Sequence, residues 1–508
     1  RYLPSARVVS FRRLIEEGEE ASDEVARAVE DAIESVDEST VATISYTSGT
    51  TGNPKGIMLT HLNYYANSVD SIDLFQVPRG YSTLLILPCD HSFAHTVGIY
   101  AALVRGIQLY FVDARGGGVA LVRNIPKNIV ETEPTFILTV PALSGNFMKK
   151  IISGIHAKGA LVAKIFHAGM KAAKTRNGDG VHRPSLPVRV ATWFPYIAAE
   201  LLIFRHVRRM FGSRLRFFVG GGALLDRGQQ EFFLALGLPV FQGYGLTEAA
   251  PVISSNSPVA YKLGTSGRVA PSVTCRIVRD DGTEASTGER GEICIRGENV
   301  MAGYFRNDEA TAEALRGGWL HTGDLGYFDE DGFLVVTGRA KALLISPDGE
   351  KYSPEEIEET IATNARLISH VVAVNDHRTY TVAICTLDEA RCREEIERGN
   401  IESAEELVRR IESDFFSFAD RGIRFPSQWT PKSFVIAPEP FSEENHLINS
   451  TMKVVRPKVL ERFAADIEYL YTDEGRHNDN PRNIARIRDT FGLSNDSERR
   501  EYAARGTA

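Results

Sequence analysis

Cysteine is scarce and scattered, with five residues at positions 89, 275, 294, 385 and 392 of 508. None forms a C-x-x-C pair, which argues against a zinc site or a disulfide framework and fits reduced thiols in a cytosolic protein. Long hydrophobic runs are missing too. No uncharged apolar stretch reaches about 18 residues and no signal peptide is visible, so no membrane-spanning helix is expected. The nearest approach, residues 192–204, is interrupted by Pro195 and Glu200 and is expected to be a buried helix. Internal repeats are absent as well, which excludes solenoid and propeller architectures.

What remains is ordinary globular composition, 43% hydrophobic and 24% charged, long enough for two to four domains. The net charge of −8 is unevenly spread. Residues 146–216 carry 14 Lys and Arg against 2 Asp and Glu, a local balance of +12. Such a segment suits nucleic acid or an anionic membrane, or is simply a solvated helical face.

The chain is organised around residues 46–56, which read Y-T-S-G-T-T-G-N-P-K-G. Residues 41–45 read as a strand ahead of this stretch, and Thr60 and His61 open a helical pattern after it. A strand, a glycine-rich loop and a helix together offer backbone N–H groups to phosphate. Gly49, Gly52 and Gly56 permit close approach of the main chain. Ser48, Thr50 and Thr51 can bond phosphate oxygens or a metal ion, and Lys55 adds a mobile positive charge. The loop is not a Walker loop, whose lysine follows its glycine and precedes Ser or Thr. Here Lys55 precedes Gly56, and Pro54 stiffens the turn.

Residues 83–87, 108–113 and 134–140 read as strands between helical stretches, which predicts βαβ units and a mainly parallel sheet. Residues 147–211 are expected to be largely helical. Two further strands end in Gly220-Gly221-Gly222-Ala223 and in Gly243-Tyr244-Gly245-Leu246-Thr247-Glu248, and strand C-termini are where open α/β sheets bind ligands. Short strands over 264–296 predict a small, mostly antiparallel β subdomain, continued by a hairpin of 325–328 and 333–337. Beyond Gly338-Arg339-Ala340-Lys341 a separate α+β unit is expected. It opens on a helix with Ser353 as N-cap, Pro354 at N1 and Glu356 completing a capping box. A hairpin of 371–375 and 380–387 follows, then a helix over 403–416. The expected divisions are a connecting segment 1–40, a large domain 41–340, a C-terminal domain 341–471 and a polar tail 472–508.

The loop at 46–56 resembles the signature loop of the adenylate-forming (AMP-binding) superfamily, which includes acyl-CoA synthetases, luciferases and peptide-synthetase adenylation domains. From residue 41 to about 458, the other motifs stand in that superfamily's order. The resemblance implies an α/β fold: a large domain of parallel βαβ sheets with a small β subdomain, followed by a smaller mobile α+β domain. It assigns Thr47, Ser48, Gly49, Thr50, Thr51, Gly52 and Lys55 to nucleotide phosphates. Gly222 and Ala223 fall in the adenine-contacting turn. Tyr244, beside Gly245, packs on adenine, which needs a flat apolar wall. Thr247 reaches the α-phosphate and Glu248 helps hold Mg²⁺, a hard cation that takes oxygen ligands.

In W-L-H-T-G-D-L-G at 319–326, Asp324 matches the residue that accepts the ribose hydroxyls, a task suited to an acceptor-only carboxylate. Arg339 matches the arginine on ribose and phosphate, and Lys341 the hinge. Ala342 departs from the acidic residue many relatives carry there. Residues 447–453, L-I-N-S-T-M-K, resemble the late motif of long-chain synthetases, whose lysine, here Lys453, swings into the active site. Asn449-Ser450 replace the more usual Thr-Pro, and Lys458 lies nearby. His91 resembles the histidine bordering the acyl pocket. Residues 11–37 resemble the connecting segment of the long-chain enzymes. About 150 further residues, roughly one domain, precede that segment in the family, so the large domain is expected to be incomplete at its N-terminus.

The implied activity is ATP-dependent ligation of a long-chain fatty acid to coenzyme A through an acyl-adenylate, with Lys453, Thr247 and His91 as catalytic candidates and ATP, Mg²⁺ and coenzyme A as cofactors. Two rivals stand beside it. One passes the acyl group to a carrier-protein phosphopantetheine thiol. The other is a catalytically inactive nucleotide- or lipid-binding relative, which the intact series Lys55, Glu248, Asp324, Arg339 and Lys453 argues against. The implied partners are the fatty acid, ATP and coenzyme A, without nucleic acid. The expected location is cytoplasmic, with peripheral contact at an anionic membrane left open, as is the oligomeric state.

Overall fold

The computed structural model describes residues 9–47, 54–115, 117–399, 401–419, 425–449 and 453–494. Strands Val41–Thr47 and Lys55–Thr60 pair antiparallel, with Tyr46 opposite Gly56 and Thr47 opposite Lys55. This corrects the expected strand–loop–helix arrangement, because the glycine-rich stretch joins the two arms of a hairpin. Gly56 permits the pairing, since a Cβ there would meet Ile44 Cγ2 at 2.9 Å and the Tyr46 ring at 3.0 Å. Helix His61–Phe75 begins only after the second arm. Its N-cap Thr60 and residue Asn63 exchange side-chain-to-backbone hydrogen bonds, a capping box worth about 1 kcal/mol.

The centre of the large domain is a seven-stranded sheet. Strands Gln108–Phe111, Ser82–Leu85, Phe136–Thr139, Phe217–Gly220 and Val240–Gly245 lie side by side in that order and run parallel. Val252–Ser255 and Arg268–Val269 extend the sheet antiparallel. Ser82–Leu85, Phe136–Thr139 and Phe217–Gly220 are buried along their whole length, as parallel strands covered on both faces must be. A second, antiparallel sheet joins Thr274–Val278, Gly291–Arg296, Trp319–Phe328 and Leu334–Arg339. The hairpin expected near 325–337 is present, with Phe328 opposite Leu334.

The helical region at 141–209 holds a correction. Helix Trp193–Ala199, a π-helical turn Glu200–Phe204 and helix Arg205–Arg209 bury Ala199, Ile203 and Phe204. Phe194 is nonetheless 75% exposed and Leu202 61% exposed. The expected buried helix is therefore buried on one face only. A run that is apolar all round carries no signal of which face packs.

In the C-terminal unit, Ile368–Val374 pairs antiparallel with Val382–Leu387, which pairs parallel with Ser433–Ile436. Helices Pro354–Asn364 and Ala404–Phe415 pack around this sheet. The capping box expected at Ser353 does not form. The Ser353 hydroxyl donates instead to Glu355 Oε2 at 2.5 Å. Nor do residues from 472 onward stand apart as a polar tail. Helix Pro481–Phe491 buries Ile487, and Asn483 brackets the last strand, donating to the Phe434 carbonyl and accepting from Ile436 N–H. The remainder, 495–508, lies outside the described residues. No helix among the described residues is long and apolar enough to cross a membrane.

The two units touch directly. Lys149 Nζ donates to the Ala362 carbonyl at 3.0 Å, and Gln229 Nε2 to Glu359 Oε1 and Thr363 Oγ1, each at 3.0 Å.

Candidate active site

The site is built around a break in strand Trp319–Phe328. Its register against Gly291–Arg296 slips between Glu292 and Cys294, and Gly323 sits at φ +69°. Bulges of this kind re-aim a side chain beside a functional site. Glu292 staples this one. Its Oε1 accepts from Gly323 N–H at 3.1 Å, and its Oε2 lies 2.8 Å from His321 Nδ1. Thr322 Oγ1 donates to the Ile293 carbonyl at 2.7 Å. The result is a buried Asp324 whose Oδ2 accepts from the Tyr244 hydroxyl at 2.8 Å and whose Oδ1 accepts from Arg339 Nε at 3.0 Å. Burial raises the Asp324 pKa, while Arg339, Tyr244 and Lys453 pull against it. Burial also pushes the Tyr244 hydroxyl well above its ordinary range, and Asp324 holds the Arg339 guanidinium more firmly charged.

Lys453 enters from the C-terminal unit. Residues Asn449 and Lys453 bond to each other, with Asn449 N–H donating to the Lys453 carbonyl and Lys453 N–H to Asn449 Oδ1, each at 2.9 Å. Lys453 Nζ then lies 3.5 Å from the carbonyl oxygen of Gly222, whose φ of +84° suits glycine. The residue as a whole keeps exposed surface, but its ammonium sits in the cleft. Desolvation there, and the Arg339 cation, lower its pKa.

Around this centre stand the other expected residues. Thr247 Oγ1 and Ser92 Oγ are 3.2 Å apart. The His91 ring accepts from Phe93 N–H at 3.3 Å, and burial, aided by Lys453, lowers its pKa. Glu248 Oε1 accepts from the Tyr304 hydroxyl at 3.0 Å, and Lys55 Nζ lies 4.8 Å from the centre of the Tyr304 ring. The Ala223 carbonyl accepts from Gln242 Nε2 at 3.1 Å. Gly245 has no room for a side chain, since a Cβ would fall 2.0 Å from the Pro251 carbonyl oxygen. Ser48, Gly49, Thr50, Thr51 and Gly52 lie outside the described residues, as do the side chains of Thr47 and Lys341. The backbone of Lys341 occupies a 3₁₀ turn, Ala340–Ala342, directly after Arg339.

Sequence reasoning missed Tyr304, Ser92 and Glu292. Tyr304 had one available signal, a Gly-Tyr pair able to extend the strand after the glycine-rich loop. It does so, opposite Ile57. Glu292 also belongs to the convergent group of possible metal ligands found among the described residues, with Cys294 and His321, all ligand atoms within 4.8 Å. The Cys294 thiol is pushed up to about 12 by burial, and Arg316 Nη2 lies 3.0 Å from His321 Nδ1. A protonated thiol with a guanidinium alongside suits a hydrogen-bonded staple better than a cation.

Residues 4–305 match the AMP-binding enzyme family, and residues 341–475 match the AMP-binding enzyme C-terminal domain. The first match alone takes in more than half of the chain, which belongs to the AMP-binding enzyme family. Long-chain-fatty-acid–CoA ligase FadD15 of Mycobacterium bovis is 29% identical over 447 residues, covering 85% of this chain and 70% of that protein. Long-chain-fatty-acid–CoA ligase ACSBG1 of Mus musculus is 28% identical over 92% of this chain and 66% of its own length. Among solved structures, O-succinylbenzoate coenzyme A synthetase MenE from Bacillus subtilis, in complex with AMP, is similar with a TM-score of 0.57 at 24% identity, covering 83% of this chain and 69% of that one. A likeness at that identity shows the fold, a large N-terminal domain with a smaller C-terminal one.

Proposed function

We propose that the protein is an ATP-dependent long-chain fatty acid–CoA ligase with its large domain over 41–340, its C-terminal domain from 341 and its hinge at Lys341. The observation that carries the reading is the convergence of Lys453, from the C-terminal unit, on the cleft lined by Gly222, Asp324 and Arg339. ATP, Mg²⁺ and coenzyme A are the cofactor set of adenylate-forming CoA ligases. The residues present suit that set. Gln242 Oε1, buried and without a hydrogen-bond partner among the described residues, is an acceptor beside the 220–223 turn for an amino donor such as that of adenine. Asp324 keeps lone pairs for two ribose hydroxyls. Glu248 would hold Mg²⁺, which when bound neutralises phosphate charge.

A carboxylate is a poor electrophile because its leaving group would be oxide. Attack of a carboxylate oxygen on the α-phosphorus of ATP forms one P–O bond and breaks another, releasing pyrophosphate. The thiolate of coenzyme A then attacks the acyl carbon, and AMP leaves with the bonding pair. The protein's task is to bring anions together, and Lys453, Arg339 and Lys55 offset their repulsion through fixed positive charge. The long-chain assignment is supported by the names of FadD15 and ACSBG1.

The test is pyrophosphate release and thioester formation with ATP, coenzyme A and carboxylic acids of graded length. Release that rises with chain length is the expected result. Absence of any acid-dependent release would overturn the ligase reading, and preference for short or aromatic acids would overturn the long-chain assignment.

A further inference from the structure

The helical run through Trp193–Ala199, Glu200–Phe204 and Arg205–Arg209 is clamped on its inner side. Gly169 of helix Ala160–Asn177 lets it approach so closely that a Cβ there would lie 2.0 Å from Ala199 Cβ. Its outer side is apolar yet exposed: Trp193 at 54%, Phe194 at 75%, Leu201 at 50% and Leu202 at 61%. Helix Leu186–Ala191 adds Leu186 at 71% and Val190 at 68%. Exposed apolar clusters with a polar rim mark interaction sites.

The rim here is cationic. The 2 acidic residues between 146 and 216 are already committed, Glu200 to Arg208 and Asp179 to His182. Among the described residues no carboxylate pairs with the exposed Arg189, Arg205 or Arg209. Trp, Phe and Leu on one face with arginines at its margin is the composition of a helix lying in a membrane interface. The free arginines favour anionic lipid over a neutral apolar partner.

We propose that this face docks the protein peripherally on an anionic lipid surface, with Trp193, Phe194 and Leu201 entering the boundary between headgroups and acyl chains. Arg189, Arg205 and Arg209 meet the lipid phosphates. Docking does not depend on the substrate. Combined with the proposed function, it brings the cleft to the phase in which a long-chain fatty acid dissolves.

The full chain is tested by co-sedimentation with phosphatidylcholine vesicles and with phosphatidylcholine–phosphatidylglycerol vesicles. Binding to the anionic vesicles alone, weakened by salt, is expected, with a blue shift in tryptophan emission that disappears in Trp193→Phe. Phe194→Glu with Leu201→Glu should abolish binding. Arg205→Gln with Arg209→Gln, which leaves the packed face untouched, should weaken it roughly fivefold per arginine, the equivalent of about 1 kcal/mol each. Equal binding to both vesicle types, retained affinity in both double variants, or self-association dissolved by Phe194→Glu with Leu201→Glu would each overturn the proposal. Fatty-acid-dependent pyrophosphate release in detergent reads the ligase activity separately.

Discussion

Lys453 Nζ stands 3.5 Å from the carbonyl oxygen of Gly222, across 231 residues of chain and from the opposite unit of the protein. The structure therefore holds the arrangement in which the C-terminal lysine faces the turn at residues 220–223. Lys453→Ala is expected to slow acyl-adenylate formation by about 10²- to 10³-fold, the scale of losing one electrostatic stabiliser. Transfer from supplied acyl-adenylate to coenzyme A should survive. Single-turnover rates of the two half-reactions decide it, and equal loss in both would remove Lys453 from this role.

Gly338 lies two residues before the turn Ala340–Ala342. Its φ is +133°, and a Cβ there would come within 2.3 Å of Ser353 Oγ and 2.9 Å of Ser353 Cβ. Gly338→Ala is expected to disfavour this arrangement and so to depress adenylation more than thioester formation. Lys341→Pro, which fixes φ near −65° and restricts residue 340, should do the reverse. Rates of both half-reactions on both variants test the pair. Full retention of coenzyme A transfer in Lys341→Pro would move the pivot away from that position.

Glu248 shares one carboxylate oxygen with Tyr304. Glu248→Gln should raise the Mg²⁺ concentration needed for half-maximal activity, because the neutral amide is a weaker ligand for a hard cation. Tyr304→Phe keeps the carboxylate and should change the Mg²⁺ requirement far less. A Mg²⁺ titration that is superimposable for wild type and Glu248→Gln would sink the metal role.

Burial and Asp226 push Glu359 up to about 7, at the contact with Gln229 and Thr363. Its pKa is raised above the ordinary carboxyl range, so the contact is fully supported at acid pH and weakened as pH rises through about 7. Opening of the two units, followed by small-angle scattering or limited proteolysis, is expected to increase over that interval. Glu359→Gln should flatten the dependence, and an unchanged pH profile in that variant would refute the assignment.

Much of this protein was legible in local sequence because the chemistry itself is local. Glycine and hydroxyl density at 46–56, the apolar strands running into Gly220–Ala223 and Gly243–Glu248, and Asp324 just after a glycine are contiguous signals, and they pointed to an adenylate-forming α/β fold. The hairpin pairing of the 46–56 arms, the Glu292 staple under Asp324 and the Tyr304 bridge to Glu248 were decided by tertiary structure. The staple joins residues 31 apart and the bridge residues 56 apart. Spacings that long fall within no helical or strand period, so they exist only once the antiparallel sheet has formed and Tyr304 has paired opposite Ile57. The same holds for 193–209, where apolar residues surround the helix. Composition required that one face be buried, but only the close approach at Gly169 determined which face packs and which meets solvent.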